Sequence, residues 1–311
     1  MTTPAQKTAI VDKLLTYVSQ MILPHGLICD QVLPQISVKQ RTGLLAGYGN
    51  GHLKIVSSRV GGQGEFRRVD AITRESDTYH LEKHGLFDTV TEDDYDNVEA
   101  PYEAEIDTTI GLSSIIKTEK EDVFSQVFNS TNVTQGVTLD KTKSFKVGTV
   151  DPSLHVENAH NTILDATGVS PNTCILPRKT YNVLRRHPVL RQWYRGGSTG
   201  PTTGGPVGIR EVAQFLDVQR IFVPETPKSS DGKTVTQLWP DDVIFLVAPA
   251  AAVKRQVAFG YRLRNRRGGL RIYKFRTTNP PNGTDVLAQD DYSFMITNAK
   301  AAYAIRTPLA V

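Results

Sequence analysis

Residues 53–79, LKIVSSRVGGQGEFRRVDAITRESDTY, govern how the rest of this 311-residue chain is read. Leu53, Ile55 and Val60 make one extended run, Gly61, Gly62 and Gly64 mark a turn, and Phe66, Val69 and Ile72 carry a second run, so a long hairpin is expected. Lys54, Arg59, Arg67, Arg68, Asp70, Arg74, Glu75 and Asp77 leave it little apolar surface. A two-stranded ribbon alone is marginal in water, so it must rest on something else, either its own domain or a second copy of the chain.

Before the ribbon, Ile10, Leu14, Tyr17, Val18 and Met21 recur at helical spacing, which predicts an amphipathic helix ending before Pro24. It is either a core helix or an arm packed on a neighbouring subunit, with Pro24, Gly26 and Pro34 making an extended connector after it. The apolar stretch is broken by Asp12 and Lys13 and has no cleavage pattern, so it is neither a signal peptide nor a membrane span.

After the ribbon, the acidic run TEDDYD at 91–96 lacks the Gly and distal Glu of an EF-hand loop. It is expected as a solvated connector or as the acidic half of an intersubunit contact through Asp93 and Asp94. From 103 to 128, Ile106, Ile110, Ile115, Ile116, Val123, Phe124, Val127 and Phe128 predict a long strut helix, with a charged face at Lys117, Glu119, Lys120, Glu121 and Asp122. Gly111 marks a bend or a later start.

Asp151 and Pro152 open a helix whose stripe is Val156, Ala159, Ile163 and Ala166 and which Gly168 closes. A buried strand at 173–176 makes Cys174 an inert core thiol, and Pro177 and Pro188 each open a helix. The Gly-rich stretch 196–208 lacks the Gly-Lys-Ser/Thr ending of a phosphate loop and is expected as a surface loop before a helix at 209–216. Strands are predicted at 220–223, 243–247, 254–259, 270–275, 292–297 and 302–305, giving an α+β chain.

With 39% hydrophobic and 22% charged residues, the composition excludes wholesale disorder, and Cys29 and Cys174 are too few for a disulfide framework or a zinc site. A net charge of +4 does not mark a dedicated duplex binder. No nucleophile elbow, Walker motif or dinucleotide fingerprint occurs, and His80 with His84 and His155 with His160 have poor metal spacing, so no enzyme, cofactor or metal is expected. In YRLRNRRGGLRIYKFR at 261–276, Arg262, Arg264 and Arg266 share one strand face and Tyr261 and Leu263 the other. That basic face meets either nucleic acid phosphates or acidic neighbours such as the 92–96 run.

The order of these pieces resembles the major capsid proteins of tailed bacteriophages, the Hong Kong 97-type fold. DTYHLEKHGL leading to NVEAPYEAEID and KTEKEDVFSQVFN looks like that family's passage from extended loop to spine helix. DATGVSPNTCILPRKTYNVLRRHPVLRQWY, EVAQFLDVQRIFVPE and LWPDDVIFLVAP resemble its following helices and strands.

The resemblance implies an N-terminal arm at 1–50, an extended loop at 51–90, a peripheral domain at 91–150 and 261–311 with its spine helix at about 103–128, and an axial domain at 151–260. It implies hexamers and pentamers of an icosahedral shell around double-stranded DNA, located in the virion and assembled in the host cytoplasm, with portal and separate scaffold proteins as partners and no membrane. Lys54, Arg59, Arg67, Arg68, Glu75, Asp93 and Asp94 would then make intersubunit contacts. Covalent links of the kind some family members form have only Lys54 or Lys83 and Asn279 or Asn282 as candidates. An encapsulin-like compartment shell and a sequence-independent nucleic-acid-binding protein are the competing expectations.

Overall fold

The computed structural model of the chain describes residues 10–21, 26–48, 74–97, 101–195, 205–252, 256–266, 268–277 and 283–310. Lys54, Arg59, Arg67, Arg68, Asn279 and Asn282 lie outside the described residues.

A short strand β1 (Ile10–Val11) leads into helix α1 (Lys13–Met21). Asp12 starts the helix by accepting the amides of Leu14 and Leu15 at 2.9 and 3.0 Å, so Ile10, expected on the helix, pairs instead with Lys274. Next come α2 (Cys29–Val32), β2 (Gln35–Val38) and β3 (Thr42–Tyr48). β4 (Arg74–His80) runs antiparallel to β3, from Thr42 opposite His80 to Tyr48 opposite Arg74. The described ribbon stem therefore starts earlier than the expected run at Leu53.

β5 (Glu82–Thr91) is followed by α3 (Glu92–Asn97), so the acidic run is a helix and not an irregular connector. The Thr91 amide and hydroxyl donate to the Asp94 carboxylate at 2.8 and 2.7 Å, and the Asp94 amide returns a bond to the hydroxyl. The strut is α4 (Pro101–Gln126), 26 residues and about 39 Å long, unbroken at Gly111. Then follow β6 (Gly136–Thr138), α5 (Ser153–Thr167), β7 (Thr173–Ile175), α6 (Arg178–Leu184), α7 (Pro188–Arg195) and α8 (Ile209–Phe215). Gly168 ends α5 at φ 72°, its amide bonded to the Leu164 carbonyl.

The remaining strands are β8 (Arg220–Phe222), β9 (Pro227–Lys228), β10 (Thr236–Gln237), β11 (Val243–Leu246), β12 (Gly260–Asn265), β13 (Arg271–Thr277), β14 (Gly283–Ile296) and β15 (Ala302–Arg306). Of the strand expected at 254–259, residues 254 and 255 lie outside the described residues and 256–259 form no strand. Phe259 instead precedes β12, fully buried, with its amide on the Val247 carbonyl at 2.9 Å.

Two large sheets organise the chain. One has the order β6-β15-β11-β7-β8; the other runs β1-β13-β14-β12-β2, with β5 also on β14. Residues 302–306, expected with the peripheral part, pair with β11, because the apolar runs VIFL and AYAI each need cover on both faces. β12 and β13 lie end to end along β14. Arg264 faces Tyr292 and Arg271 faces Gln289, so only Asp290 and Asp291 of β14 lie between the two pairings.

The main core gathers Phe124 and Phe128 from the end of α4, Val156, Ala159 and Ile163 of α5, and the strands around β11. A second core joins Leu112 and Ile116 of α4 to Leu15, Ile272 and Val286. The long helix thus ties the two sheets together.

Candidate functional site: ribbon base and buried charge clasp

The ribbon base stands on a small apolar cluster of Val38, Leu81 and Leu263, flanked by Tyr79, Tyr261 and Met295. The Leu81 amide closes the stem on the Arg41 carbonyl at 2.7 Å. Beyond that base, β3 and β4 form a sheet of their own, and among the described residues no other strand pairs with them. Leu44 on the stem is exposed. Of the ribbon expected at 53–79, only residues 74–79 lie within the described residues.

Beside this base lies a cluster of charges drawn from α2, α4, β12 and β14. Lys120 and Glu121, two of the five residues of the expected charged face of α4, are buried. Glu121 accepts the amide of Cys29 at 2.8 Å, that of Ile28 at 3.1 Å and the indole Nε1–H of Trp239 at 2.8 Å. Burial raises its pKa, with these donors pulling the other way. Lys120 reaches Asp30 at 2.8 Å and Asp290 at 3.6 Å, and Arg262 also pairs with Asp30 and contacts Gln35. Burial would raise the Asp30 pKa, but Lys120 and Arg262 outweigh it and the net shift is downward.

His84 stacks on Tyr292 with ring centroids 4.1 Å apart, and its Nδ1 lies 3.4 Å from Glu119. Between the pairings of β14 with β12 and β13, Asp291 holds Arg271 at 3.2 Å and Asn265 at 3.1 Å. Residues 26–38 are thereby clasped between α4 and β12, along which β2 runs parallel.

The three strand arginines separate. Arg262 is withdrawn into the clasp, and its acidic partner is Asp30 and not the 92–96 run. Arg264 is half-buried, with its guanidinium over Gly269, while Arg266 is exposed beyond the end of β12. Glu92 meets Arg276 at 3.7 Å, Asp93 is exposed on α3, Asp94 caps that helix, and Glu75 stands opposite Gly47 in the stem. The sequence signal for the clasp was present but unread: Lys120 occupies the same helix stripe as Ile116 and Phe124.

This arrangement fixes a backbone; it does not activate a group. Burial holds both thiols, Cys29 and Cys174, well above the usual thiol range. Among the described residues no group of His, Cys, Asp and Glu has the geometry to hold a metal, and no helix is long and apolar enough to cross a membrane.

No family model matches the chain. It is similar to the major capsid protein of Pseudomonas phage JBD67, 26% identical over 221 residues, covering 69% of this chain and 68% of that protein. The major capsid protein of Burkholderia phage BcepMu is 20% identical over 269 residues, covering 84% of this chain and 85% of that protein. Among solved structures, a phage-related protein from Bordetella bronchiseptica superposes with a TM-score of 0.72 at 20% identity, covering 97% of this chain and 98% of the other. The capsid of the cyanophage P-SCSP1u gives a TM-score of 0.57 at 9% identity, covering 98% and 92%. In sequence the chain is a relative of phage major capsid proteins, and in architecture it has the Hong Kong 97-type capsid fold.

Proposed function

We propose that this chain is the subunit of a phage head, forming hexamers and pentamers of an icosahedral shell that encloses double-stranded DNA. The observation that carries the reading is the ribbon, whose described stem has only a small apolar base and no neighbouring strand. A polar ribbon of this length is stable when it lies across a second copy. Exposed apolar side chains on α1, namely Leu14, Tyr17 and Met21 along one stripe, support the arm reading of that helix. Obligate assembly surfaces of about 2,000–5,000 Å² in total would cover both features.

The five-stranded sheet with its helices is the proposed axial part, and the six-stranded sheet with α4 and the ribbon the proposed peripheral part. The role is structural rather than enzymatic, in the virion, with portal and separate scaffold proteins as partners and assembly in the host cytoplasm. Asp93, Asp94 and Glu75 remain proposed intersubunit contacts, together with Lys54, Arg59, Arg67 and Arg68.

The test replaces residues 49–73 by Asn-Gly, a two-residue turn that suits the terminal pair of Tyr48 and Arg74. Electron microscopy should show closed particles for the natural chain and none for the variant, while circular dichroism and melting of the subunit stay unchanged. Normal shells from the variant would overturn the role of the ribbon. Particles that protect protein cargo and no nuclease-resistant DNA would point to a compartment shell instead.

A further inference from the structure

We infer that the surface built by α6, α7 and the start of α8 is where this chain meets the phosphodiester backbone of nucleic acid. The inference rests on the DNA-enclosing reading above. Residues 178–210 contain seven Lys and Arg and no Asp or Glu, while the whole chain carries only +4, so the remainder is net acidic. Basic charge is concentrated in this stretch and in 262–276, which also holds seven Lys and Arg and no acid, so which of the two is free for a polyanion is decided by what each stretch meets in the fold.

The fold gathers these residues. The guanidinium carbons of Arg178 and Arg185 lie 5.6 and 5.4 Å from the centroid of the Tyr181 ring. The Val207 amide donates to the Arg185 carbonyl at 3.0 Å, which brings the start of α8, with Arg210, alongside Arg185 and Arg186. Trp193 of α7 meets Phe215 of α8 edge to face at 5.6 Å and fixes the corner. Lys179, Arg186 and Arg210 are exposed and make no ion pair among the described residues, whereas Arg178 pairs with Glu225 at 3.0 Å. Glu211, next to Arg210, is engaged on the Gly208 amide at 2.7 Å.

A neighbouring copy offering its own acidic run is the weaker fit. That run is partly spent within the chain: Asp94 is held by Thr91 and Glu92 by Arg276. The 262–276 stretch expected for this task is not equivalent, because Arg262 is paired with Asp30, Arg271 with Asp291, Lys274 with Glu105 and Arg276 with Glu92.

The test measures binding of a short random-sequence DNA duplex to the full chain, held as unassembled subunits, across a range of salt concentrations. Replacing Lys179, Arg186 and Arg210 together by Gln should lower the log–log salt slope by about 2.7, since each lost phosphate contact accounts for about 0.9. A control triple, Lys141→Gln with Lys143→Gln and Lys146→Gln, makes the same charge change at exposed positions before α5 and should leave the slope unchanged. Equal losses in both triples, or no loss in the first, would overturn the inference. So would a first triple that weakens association between copies and leaves duplex binding intact. Particle formation by the natural chain is read separately by microscopy: shells without duplex binding sink this inference alone, and duplex binding without shells sinks the assembly reading alone.

Discussion

Glu121 is fully buried on a helix, yet three donors, two backbone amides and an indole, converge on its carboxylate. Removing such an acceptor strands its partners, each unsatisfied buried donor costing about 1–3 kcal/mol. Glu121→Ala should therefore destabilise the subunit by at least about 3 kcal/mol in denaturant unfolding, and Glu121→Gln, which keeps one acceptor oxygen, by less. The clasp also sets opposing pH responses. The Asp30 carboxyl is held low by Lys120 and Arg262, so its stabilisation is complete above the ordinary carboxylate pKa of about 3.9 and is lost as pH falls through the lower folded value. Glu121 is raised by burial, so its contribution is greatest below about pH 4.3 and declines as pH rises through its folded pKa. Melting temperatures across the acid range should show Asp30→Asn removing the acid-side loss and Glu121→Gln removing the decline on the other side. None of these partnerships was legible in the sequence, because helical spacing marks which side faces inward and says nothing of what arrives there. Cys174 is the contrary case: its place in the apolar run TCIL sufficed to make it an inert core thiol.

Helix α4 was legible almost to its ends, since Ile116 and Phe124 repeat at helical spacing on a stripe long enough to outweigh one glycine. A Cβ at Gly111 would meet no atom within 4 Å, so Gly111→Ala should raise stability by about 1 kcal/mol, read from thermal melting. Gly136 behaves oppositely. A Cβ there would stand 2.3 Å from the Ala304 carbonyl oxygen in the β6–β15 pair, so Gly136→Ala should lower stability and expose the β15 amides to hydrogen exchange. Strand β14 was only half visible. Its first part, GTDVLAQDD, carries carboxylates that look like a turn, and they are tolerated because Asp291 is held by Arg271 and Asn265 from the strands opposite. β12 begins late for a related reason: the apolar Val257 and Phe259 are buried in the main core as a loop rather than as a strand, with Ala258 buried between them.

For the whole molecule, assembly should appear as linkage. A partner that binds only the folded subunit stabilises it by mass action, so the melting temperature of the natural chain should climb with protein concentration, and that of the chain carrying Asn-Gly in place of 49–73 should not. A flat curve for both would mean that the subunits do not associate through the ribbon. The sequence by itself determined the α+β class and the strut, and it is the source of the expectation of a polar ribbon without a private core, because each follows from local periodicity and from how little apolar surface a segment owns. Only the tertiary structure decided that residues 302–306 complete the sheet of β11, that Lys120 meets Asp30 and Glu121 the amides of Ile28 and Cys29, and that Arg262 answers to Asp30 across more than two hundred residues. Those outcomes depend on which distant groups satisfy a buried charge or an open strand edge, and a buried carboxylate finds its donors in space rather than along the chain.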